Sequence, residues 1–157
     1  MSTPSGRPWI VFVCWGNICR STMAEQVMRA KLADVGLGAS VGSAGVSREE
    51  QGSRLDSRAA QCLRAHGYEI GDHRAHKITS EELSADLLIA MEGMHSARLL
   101  SMGADDSRVH LLTDFIPGRE GAATPDPWYG GRAEFEATLA TIEAAAPGIV
   151  AAVRELA

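Results

Sequence analysis

The sequence of 157 residues predicts an α/β fold, a single three-layer domain in which helices cover both faces of a four-stranded parallel sheet. Three observations support this fold class. Short apolar runs alternate along the chain with longer stretches of helical periodicity. The apolar run at 87–91 has no polar face, which is typical of a strand covered on both sides. The first strand ends in a tight turn that leads directly into a helix, and ligands bind at such strand ends in parallel sheets.

The predicted elements follow one another in a regular order. An apolar run from Trp9 to Val13 predicts the first strand, and helical spacing predicts an amphipathic helix from Ser21 to about Val35. Pro147 is expected to kink or interrupt the last helix, and residues 1–8 are expected to form a flexible tail before a domain of residues 9–157. The remaining elements are a helix capped by Asp56, a short helix with a capping box at Thr79–Glu82, a strand within 86–91, a helix from Glu92 to Gly103, a strand at 109–112 and a long helix from Arg132 toward Leu156.

The turn after the first strand carries a pattern typical of anion-binding loops. Cys14 stands at the strand end, where loop amides and the positive end of the helix dipole favour the thiolate form of a cysteine. Arg20 has a planar guanidinium that can hold two phosphate oxygens at once. Gly16 and Asn17 tolerate the left-handed backbone that such a loop requires. The spacing therefore predicts a phosphate-binding loop that also presents a nucleophile.

Composition and charge exclude several classes of function. The net charge of −5 and the lack of a basic stripe argue against nucleic acid and membranes as partners. No run approaches the roughly 18 apolar residues of a membrane span and residues 1–8 lack a signal-peptide core, so we expect a cytoplasmic protein, with export by another route left open. Three cysteines are too few for a disulfide framework, and the gap between Cys14 and Cys19 is not a common zinc spacing. No metal and no cofactor are expected.

Two segments resemble the motifs of one enzyme family. The sequence Val-Cys-Trp-Gly-Asn-Ile-Cys-Arg-Ser at 13–21 resembles the signature loop of the low-molecular-weight protein tyrosine phosphatases, and Asp-Pro-Trp-Tyr-Gly at 126–130 resembles their general-acid loop. The resemblance spans most of the chain and implies a bacterial-type phosphotyrosine-protein phosphatase. Its substrates would be phosphotyrosine-containing proteins, phosphate-like oxyanions would inhibit it, and it would be a monomer or associate weakly. The resemblance also implies a second strand at 40–45.

The resemblance assigns roles residue by residue. It implies a cysteinyl-phosphate intermediate on Cys14, phosphate binding by Arg20, and proton transfer by Asp126, with Asp114 as the second choice for the acid. Ser43 and His73 are implied to support the loop by bonding Asn17, although each of the two residues could also be merely structural. A reversible disulfide between Cys14 and Cys19 is a further hypothesis. The residues implied to bind substrate or phosphate are Trp15, Gly16, Asn17, Ile18, Cys19, Ser21, Trp128 and Tyr129.

Departures from the family pattern leave alternatives open. Glu49 and Glu50 stand where several members have an aromatic wall, so Trp15 is the candidate to supply that surface. A protein arginine phosphatase of the same fold is the first alternative, although that group tends to have threonine in place of Ile18. An arsenate reductase would need a second redox cysteine pair, for which only Cys62 is available. A phosphopeptide-binding module without turnover is the remaining alternative.

Overall fold

The computed structural model of the protein describes residues 6–157, so the first part of the predicted tail lies outside the described residues. The strands are β1 (Trp9–Cys14), β2 (Ser40–Gly45), β3 (Leu87–Ala90) and β4 (Val109–Leu111). The helices are α1 (Arg20–Asp34), α2 (Ser57–Ala65), α3 (Gly93–Ser101) and α4 (Arg132–Leu156). Short 3₁₀ turns lie at Glu82–Ser84, Asp106–Arg108, Leu112–Phe115 and Pro127–Tyr129. Each predicted strand and long helix is therefore present within a few residues of its expected bounds.

The four strands form one parallel sheet in the order β2-β1-β3-β4. On one face, Ile10 and Phe12 of β1 join the core formed with α1, α2 and α4. On the other face, Val11 and Val13 join a smaller core to which α3 contributes. The predicted three-layer α/β architecture is thus confirmed, and Cys14 lies at the carboxyl end of a strand inside the sheet.

The first half of α1 is buried on all sides, so the prediction of an amphipathic helix is wrong there. Several of its polar side chains bond to other parts of the protein, although Thr22 Oγ1 and Gln26 Nε2 have no hydrogen-bond partner among the described residues. The Ser43 hydroxyl donates to Glu25 Oε1 at 2.5 Å, and the Gly71 amide donates to Gln26 Oε1 at 3.1 Å. Buried polar groups need such partners, and these come from segments that local periodicity cannot reveal.

The two predicted helix caps are present. The Asp56 carboxylate accepts hydrogen bonds from the Arg58 and Ala59 amides at 2.8 and 3.3 Å. Thr79 Oγ1 accepts from the Glu82 amide at 3.2 Å, and Glu82 Oε1 accepts from the Thr79 amide at 2.9 Å. The second cap opens only a single 3₁₀ turn, because β3 begins a few residues later.

α4 continues through Pro147 without interruption. Ala146 before this proline and Ile149 after it are both buried, so tertiary packing holds the helix on either side of the missing amide. Gly148 allows a close approach at this level, because a Cβ there would lie 2.5 Å from the Phe115 carbonyl oxygen. In the described part of the chain, α4 is the one helix long and apolar enough to span a bilayer by length and composition, and most of its large apolar side chains pack into the core.

Candidate active site

The loop at 14–20, called here the nucleophile loop, packs tightly against the end of β2. The Val46 amide donates to the Cys14 carbonyl at 3.0 Å, and the Ser47 amide donates to the Trp15 carbonyl at 3.1 Å. A Cβ on Gly45 would lie 2.7 Å from that same Trp15 oxygen, so only glycine allows the loop to approach this closely. Sequence reasoning missed this glycine, since its requirement depends on a segment 30 residues away in the chain.

Asn17 holds the nucleophile loop together from beneath. It is fully buried and has a φ of 62°, the left-handed conformation that its residue type tolerates. Its side-chain amide donates to Ser21 Oγ and to Ser43 Oγ, both at 2.9 Å. Its Oδ1 accepts from the His76 amide at 3.3 Å, and its carbonyl oxygen accepts from His73 Nε2 at 2.7 Å. Both residues implied by the resemblance to support the loop therefore contact Asn17.

The hydrogen bond from Asn17 determines the direction in which the Ser21 hydroxyl donates its own hydrogen. Ser21 Oγ lies 2.9 Å from Cys14 Sγ, and it already accepts a hydrogen from the Asn17 amide. Its own hydrogen is therefore available to the sulfur, and a bond in that direction stabilises the sulfur in its anionic form. Ser43 likewise accepts from Asn17 and donates to the buried carboxylate of Glu25.

Arg20 lies buried behind the loop, with one side of its guanidinium already bonded to protein. Its Nη1 donates to Glu92 Oε2 at 2.9 Å and to the Thr124 carbonyl at 2.8 Å. Its Nη2 lies 3.6 Å from Asp126 Oδ2, across the opening of the site. Two anchors on one nitrogen fix the plane of the guanidinium, so the other nitrogens are aimed in a defined direction.

His95 of α3 is a buried neighbour of this group that sequence reasoning did not single out as functional. It is fully buried, and no hydrogen-bond partner for either ring nitrogen is present among the described residues. Burial, with the positive charge of Arg20 as the next cause, lowers the pKa of His95 from 6.5 to about 4. The imidazole is therefore neutral at pH 7 and adds no charge behind the guanidinium.

The acid loop, residues 126–130, faces the nucleophile loop and is much more exposed. Asp126 Oδ1 accepts from the Trp128 amide at 3.0 Å and so caps the short turn that follows. Arg58 of α2 supports this loop, because its Nη1 donates to the Trp128 carbonyl at 2.9 Å and its guanidinium lies 5.0 Å from the centre of the Trp128 ring. No sequence signal identified Arg58, since its partners lie 70 residues further along the chain.

A cavity of about 340 Å³ lies between the two loops. Four of the residues implied to belong to the site stand outside its lining, because Asn17, Ser21, Ser43 and His73 support the nucleophile loop from behind. The cavity is lined by Cys14, Trp15, Gly16, Ile18, Cys19, Arg20, Glu49, Glu50, Asp126, Trp128 and Tyr129.

Asp114, the second choice for the acid, is not in the cavity. Its two carboxylate oxygens accept from the Leu111 and Gly121 amides at 2.8 and 2.9 Å. The carboxylate is thereby committed to the backbone of its own surface loop, which makes it a loop-closing residue. Of the two carboxylates considered for the acid, Asp126 lines the cavity and Asp114 does not.

The Trp15 indole forms an aromatic part of the cavity lining and lies between charged groups. Trp15 Nε1 donates to Glu49 Oε2 at 2.9 Å, and the guanidinium of Arg98 lies 5.2 Å from the centre of the Trp15 ring. Trp15 therefore supplies an aromatic surface on the side where the family pattern is interrupted by glutamates.

Cys19 also lines the cavity, next to the proposed nucleophile. Burial, followed by the negative charge of Asp56, raises the pKa of the Cys19 thiol well above its usual range. Cys19 is therefore a protonated thiol at neutral pH, and it is free in the structure, as is Cys14. A disulfide between the two cysteines stays a prediction.

Comparisons with known proteins agree on one family. Residues 9–156 match the model of the low molecular weight phosphotyrosine protein phosphatases. The chain is 44% identical to low molecular weight protein-tyrosine phosphatase A of Mycobacterium tuberculosis, over 89% of this chain and 88% of that protein. Its fold is similar to a crystal structure of a protein tyrosine phosphatase from Entamoeba histolytica, with a TM-score of 0.88, 27% identity, and coverage of 94% and 97%. It is also similar to the YwlE arginine phosphatase of Bacillus subtilis, with a TM-score of 0.84, 28% identity, and coverage of 94% and 96%.

Proposed function

The chain belongs to the low molecular weight protein-tyrosine phosphatase family, a family of hydrolases, and on that premise we propose that it removes phosphate from phosphotyrosine in proteins through Cys14. The observation that carries this proposal is the placement of three groups around one cavity. Cys14, Arg20 and Asp126 all line it, although Asp126 is more than 100 residues away in the chain. These are a nucleophile, an anion-binding cation and a proton donor, which phosphate ester cleavage requires.

In the first step, Cys14 Sγ attacks the phosphorus of the bound ester. A sulfur–phosphorus bond forms while the bond from phosphorus to the phenolic oxygen breaks, and Asp126 delivers its proton to that leaving oxygen. The hydroxyl of Ser21, 2.9 Å from the sulfur, stabilises the thiolate before attack and again when the sulfur later leaves. The product of this step is a phenol and a cysteinyl-phosphate enzyme.

In the second step, water replaces the sulfur. The Asp126 carboxylate takes a proton from the water, an oxygen–phosphorus bond forms, and the sulfur–phosphorus bond breaks. Inorganic phosphate and the thiolate of Cys14 are regenerated. The same carboxyl group thus serves as acid and then as base, which its partly exposed position at the cavity allows.

Charge on the transferring phosphoryl group is stabilised by donors that are already in place. Amides of the nucleophile loop and the side of the Arg20 guanidinium that is not bonded to Glu92 and Thr124 are proposed to hold the three equatorial oxygens. Glu92 and the Thr124 carbonyl keep that guanidinium oriented, so little reorganisation is needed during the reaction. Because phosphate-like oxyanions use the same donors, we expect vanadate to inhibit competitively.

The experiment that tests this proposal traps the intermediate. Wild-type protein is mixed with a phosphotyrosine peptide and quenched in acid. Mass spectrometry should then detect a phosphate adduct on the fragment of the protein that contains Cys14. Cys14→Ser should show no turnover above background, whereas Cys62→Ser, a cysteine outside the cavity, should turn over at the wild-type rate. Hydrolysis that persists in Cys14→Ser, or peptide binding by the wild type without hydrolysis, would overturn the proposal.

A specific observation favours phosphoarginine as a second candidate substrate. The carboxylates of Glu49 and Glu50 line the cavity, where they would attract a cationic guanidinium, and two of the similar structures are arginine phosphatases. The apolar Ile18 in the same cavity favours the phenyl ring instead. Comparison of kcat/KM for matched phosphotyrosine and phosphoarginine peptides distinguishes the two. Glu49→Gln with Glu50→Gln should lower only the phosphoarginine rate if that substrate is the real one.

A further inference from the structure

A second cluster of reactive side chains lies between α2 and α4, away from the cavity. Cys62 lies in the last turn of α2, and His66, four residues later, is the residue that caps the end of this helix, so both side chains are on the same side of it. Glu136, in the second turn of α4, faces them. One ligand atom from each of the three residues lies within 4.8 Å of the other two, and His66 Nε2 is 2.6 Å from Glu136 Oε2. None of the three lines the cavity between the nucleophile loop and the acid loop.

We propose that Cys62, His66 and Glu136 form a binding site for a divalent transition-metal ion, with Zn²⁺ as the best fit. A thiolate, an imidazole and a carboxylate are the three side-chain ligands that zinc uses, and three protein ligands leave a fourth tetrahedral position for water. The same set is unsuited to Mg²⁺ or Ca²⁺, which prefer oxygen ligands. The site is independent of the proposed phosphatase reaction, because it shares no residue with that cavity.

The distances require only a small adjustment of two partly exposed side chains. Bonds of about 2.0–2.3 Å in a tetrahedral zinc site place neighbouring ligand atoms roughly 3.3–3.8 Å apart. His66 Nε2 and Glu136 Oε2 must therefore move about 1 Å further apart. The longer distances among the three ligand atoms, which are at most 4.8 Å, must shorten at the same time. The His66 and Glu136 side chains are 41% and 35% exposed and can rotate, whereas Cys62 is buried and supplies the fixed ligand.

Charge at the site is close to balanced once the ion is bound. The Cys62 thiolate and the Glu136 carboxylate together neutralise a divalent cation. Cys62 and Glu136 line a surface groove together with Arg58 and Arg132, whose positive charges oppose binding of a cation. Glu143 adds a further negative charge near Cys62. Burial, with the charges of Glu136 and Glu143, raises the pKa of the Cys62 thiol, and Arg132 partly offsets this. Cys62 would bind the ion as a thiolate, so each metal ion that binds displaces the thiol proton to solvent.

The sequence-based expectation of no metal considered only the region of Cys14 and Cys19. The spacing of Cys62 and His66 is visible in the sequence, but the third ligand lies 70 residues beyond His66 and is brought near by the packing of α2 on α4. An ion at this point would link the two helices. It would do so one turn beyond Arg58, the residue that bonds the acid loop.

Cobalt substitution tests the proposal in the full-length chain. In the variant Cys14→Ser with Cys19→Ser, Cys62 is the sole remaining thiol, so any sulfur-to-cobalt charge-transfer band on Co²⁺ titration reports this site. We expect such a band at one Co²⁺ per chain, with the strong visible absorption of tetrahedral geometry, and its displacement by Zn²⁺. The band should strengthen as pH rises, and circular dichroism establishes that the variant is folded. Failure to form a sulfur-to-cobalt band in this folded variant would overturn the proposal.

Further substitutions in the same background identify the other ligands. His66→Gln and Glu136→Gln should each weaken Co²⁺ binding at least tenfold, while the matched controls His110→Gln and Glu120→Gln, which lie outside the cluster, should leave it unchanged. In the otherwise native chain, the Cys62→Ser variant should bind one Zn²⁺ per chain fewer than the wild type, as measured by competition with a chromogenic chelator. If the Co²⁺ affinity is unchanged by His66→Gln and by Glu136→Gln, the ion binds adventitiously to a single thiol, and this result would also overturn the proposal.

Discussion

The nucleophile loop and the acid loop border the same cavity but are held in opposite ways. In the nucleophile loop, Cys14, Asn17 and Arg20 are between 0% and 4% exposed, and each has buried hydrogen-bond partners. In the acid loop, Trp128 is 41% and Tyr129 is 93% exposed. In the proposed reaction the first loop holds a phosphate, which has one fixed shape, whereas the second loop meets the variable remainder of a substrate. Rigid support is therefore concentrated where the geometry must not change.

The substitution with the largest expected effect removes the proton donor of the acid loop and leaves the fold intact. Asp126→Asn should lower kcat about 10²–10⁴-fold for an aryl phosphate with a poor leaving group, because the phenolic oxygen then receives no proton. The loss should be smaller for p-nitrophenyl phosphate, whose leaving group departs unprotonated. The melting temperature should stay unchanged, since the Asp126 side chain is 42% exposed. Steady-state kinetics with both esters checks this.

Asp114→Asn is the matched control for that experiment. It should retain full kcat because its carboxylate lies outside the cavity. It should lower the melting temperature because asparagine has one acceptor oxygen, so one of the two amide hydrogen bonds is lost and the other loses its charged acceptor. A loss of activity below tenfold in Asp126→Asn with the poor leaving group would remove this residue from the mechanism.

The substitution with the next largest expected effect removes hydrogen bonds that hold the nucleophile loop, so it should lower stability and activity together. Asn17→Ala removes three side-chain hydrogen bonds at a buried site and leaves an alanine at a φ of 62°. We expect a loss of about 3 kcal/mol in the free energy of unfolding, together with a lower kcat. Urea unfolding measures the first quantity. Asn17→Gly relieves only the backbone strain, so it should be the less destabilising of the two, and the reverse order would contradict the strain argument.

A glycine substitution tests the close approach of β2 to the loop. Gly45→Ala should cost about 1–3 kcal/mol and lower kcat, because the new methyl group must displace the Trp15 carbonyl from 2.7 Å. Gly42→Ala, on the same strand, is the control, since a Cβ there meets no atom within 4 Å. Thermal unfolding and kinetics of the two variants should therefore diverge. Equal effects would show that the contact with the loop is not the cause.

The smallest effect concerns pH and the buried imidazole behind Arg20. The pKa of His95 is lowered in the folded state to about 4, so the unfolded state binds the proton more tightly. The stability associated with neutral His95 is therefore present above pH 6.5 and is lost as the pH falls from there toward 4. We expect about 2 kcal/mol less stability at pH 5 than at pH 7 from this group. His95→Gln should flatten that dependence, and an unchanged slope in urea unfolding would exclude His95 as its source.

Local signals in the sequence identified the parts of this protein that act over a few residues. The strand-to-helix turn at 14–21 and the caps at Asp56 and Thr79–Glu82 are where the sequence placed them, because turn and cap chemistry depends on near neighbours. The prediction of an amphipathic α1 was wrong, because burial of that helix depends on packing against distant segments. Asp114, the runner-up for the acid, is instead bonded to the backbone of its own loop, and which of the two carboxylates reaches the cavity could not be read from local pattern.

The sequence by itself determined the order of the elements and the composition of the nucleophile loop, since periodicity and loop chemistry are local properties. The tertiary structure alone decided what surrounds that loop. Asn17 bonds a serine 26 residues away, and Arg20 bonds a carbonyl 104 residues away. Glycine at 45 and arginine at 58 likewise gain their roles only when β2 and α2 pack beside the two loops. The physical reason is that buried polar groups take whichever partner the folded chain brings within bonding distance, and sequence separation does not limit that choice.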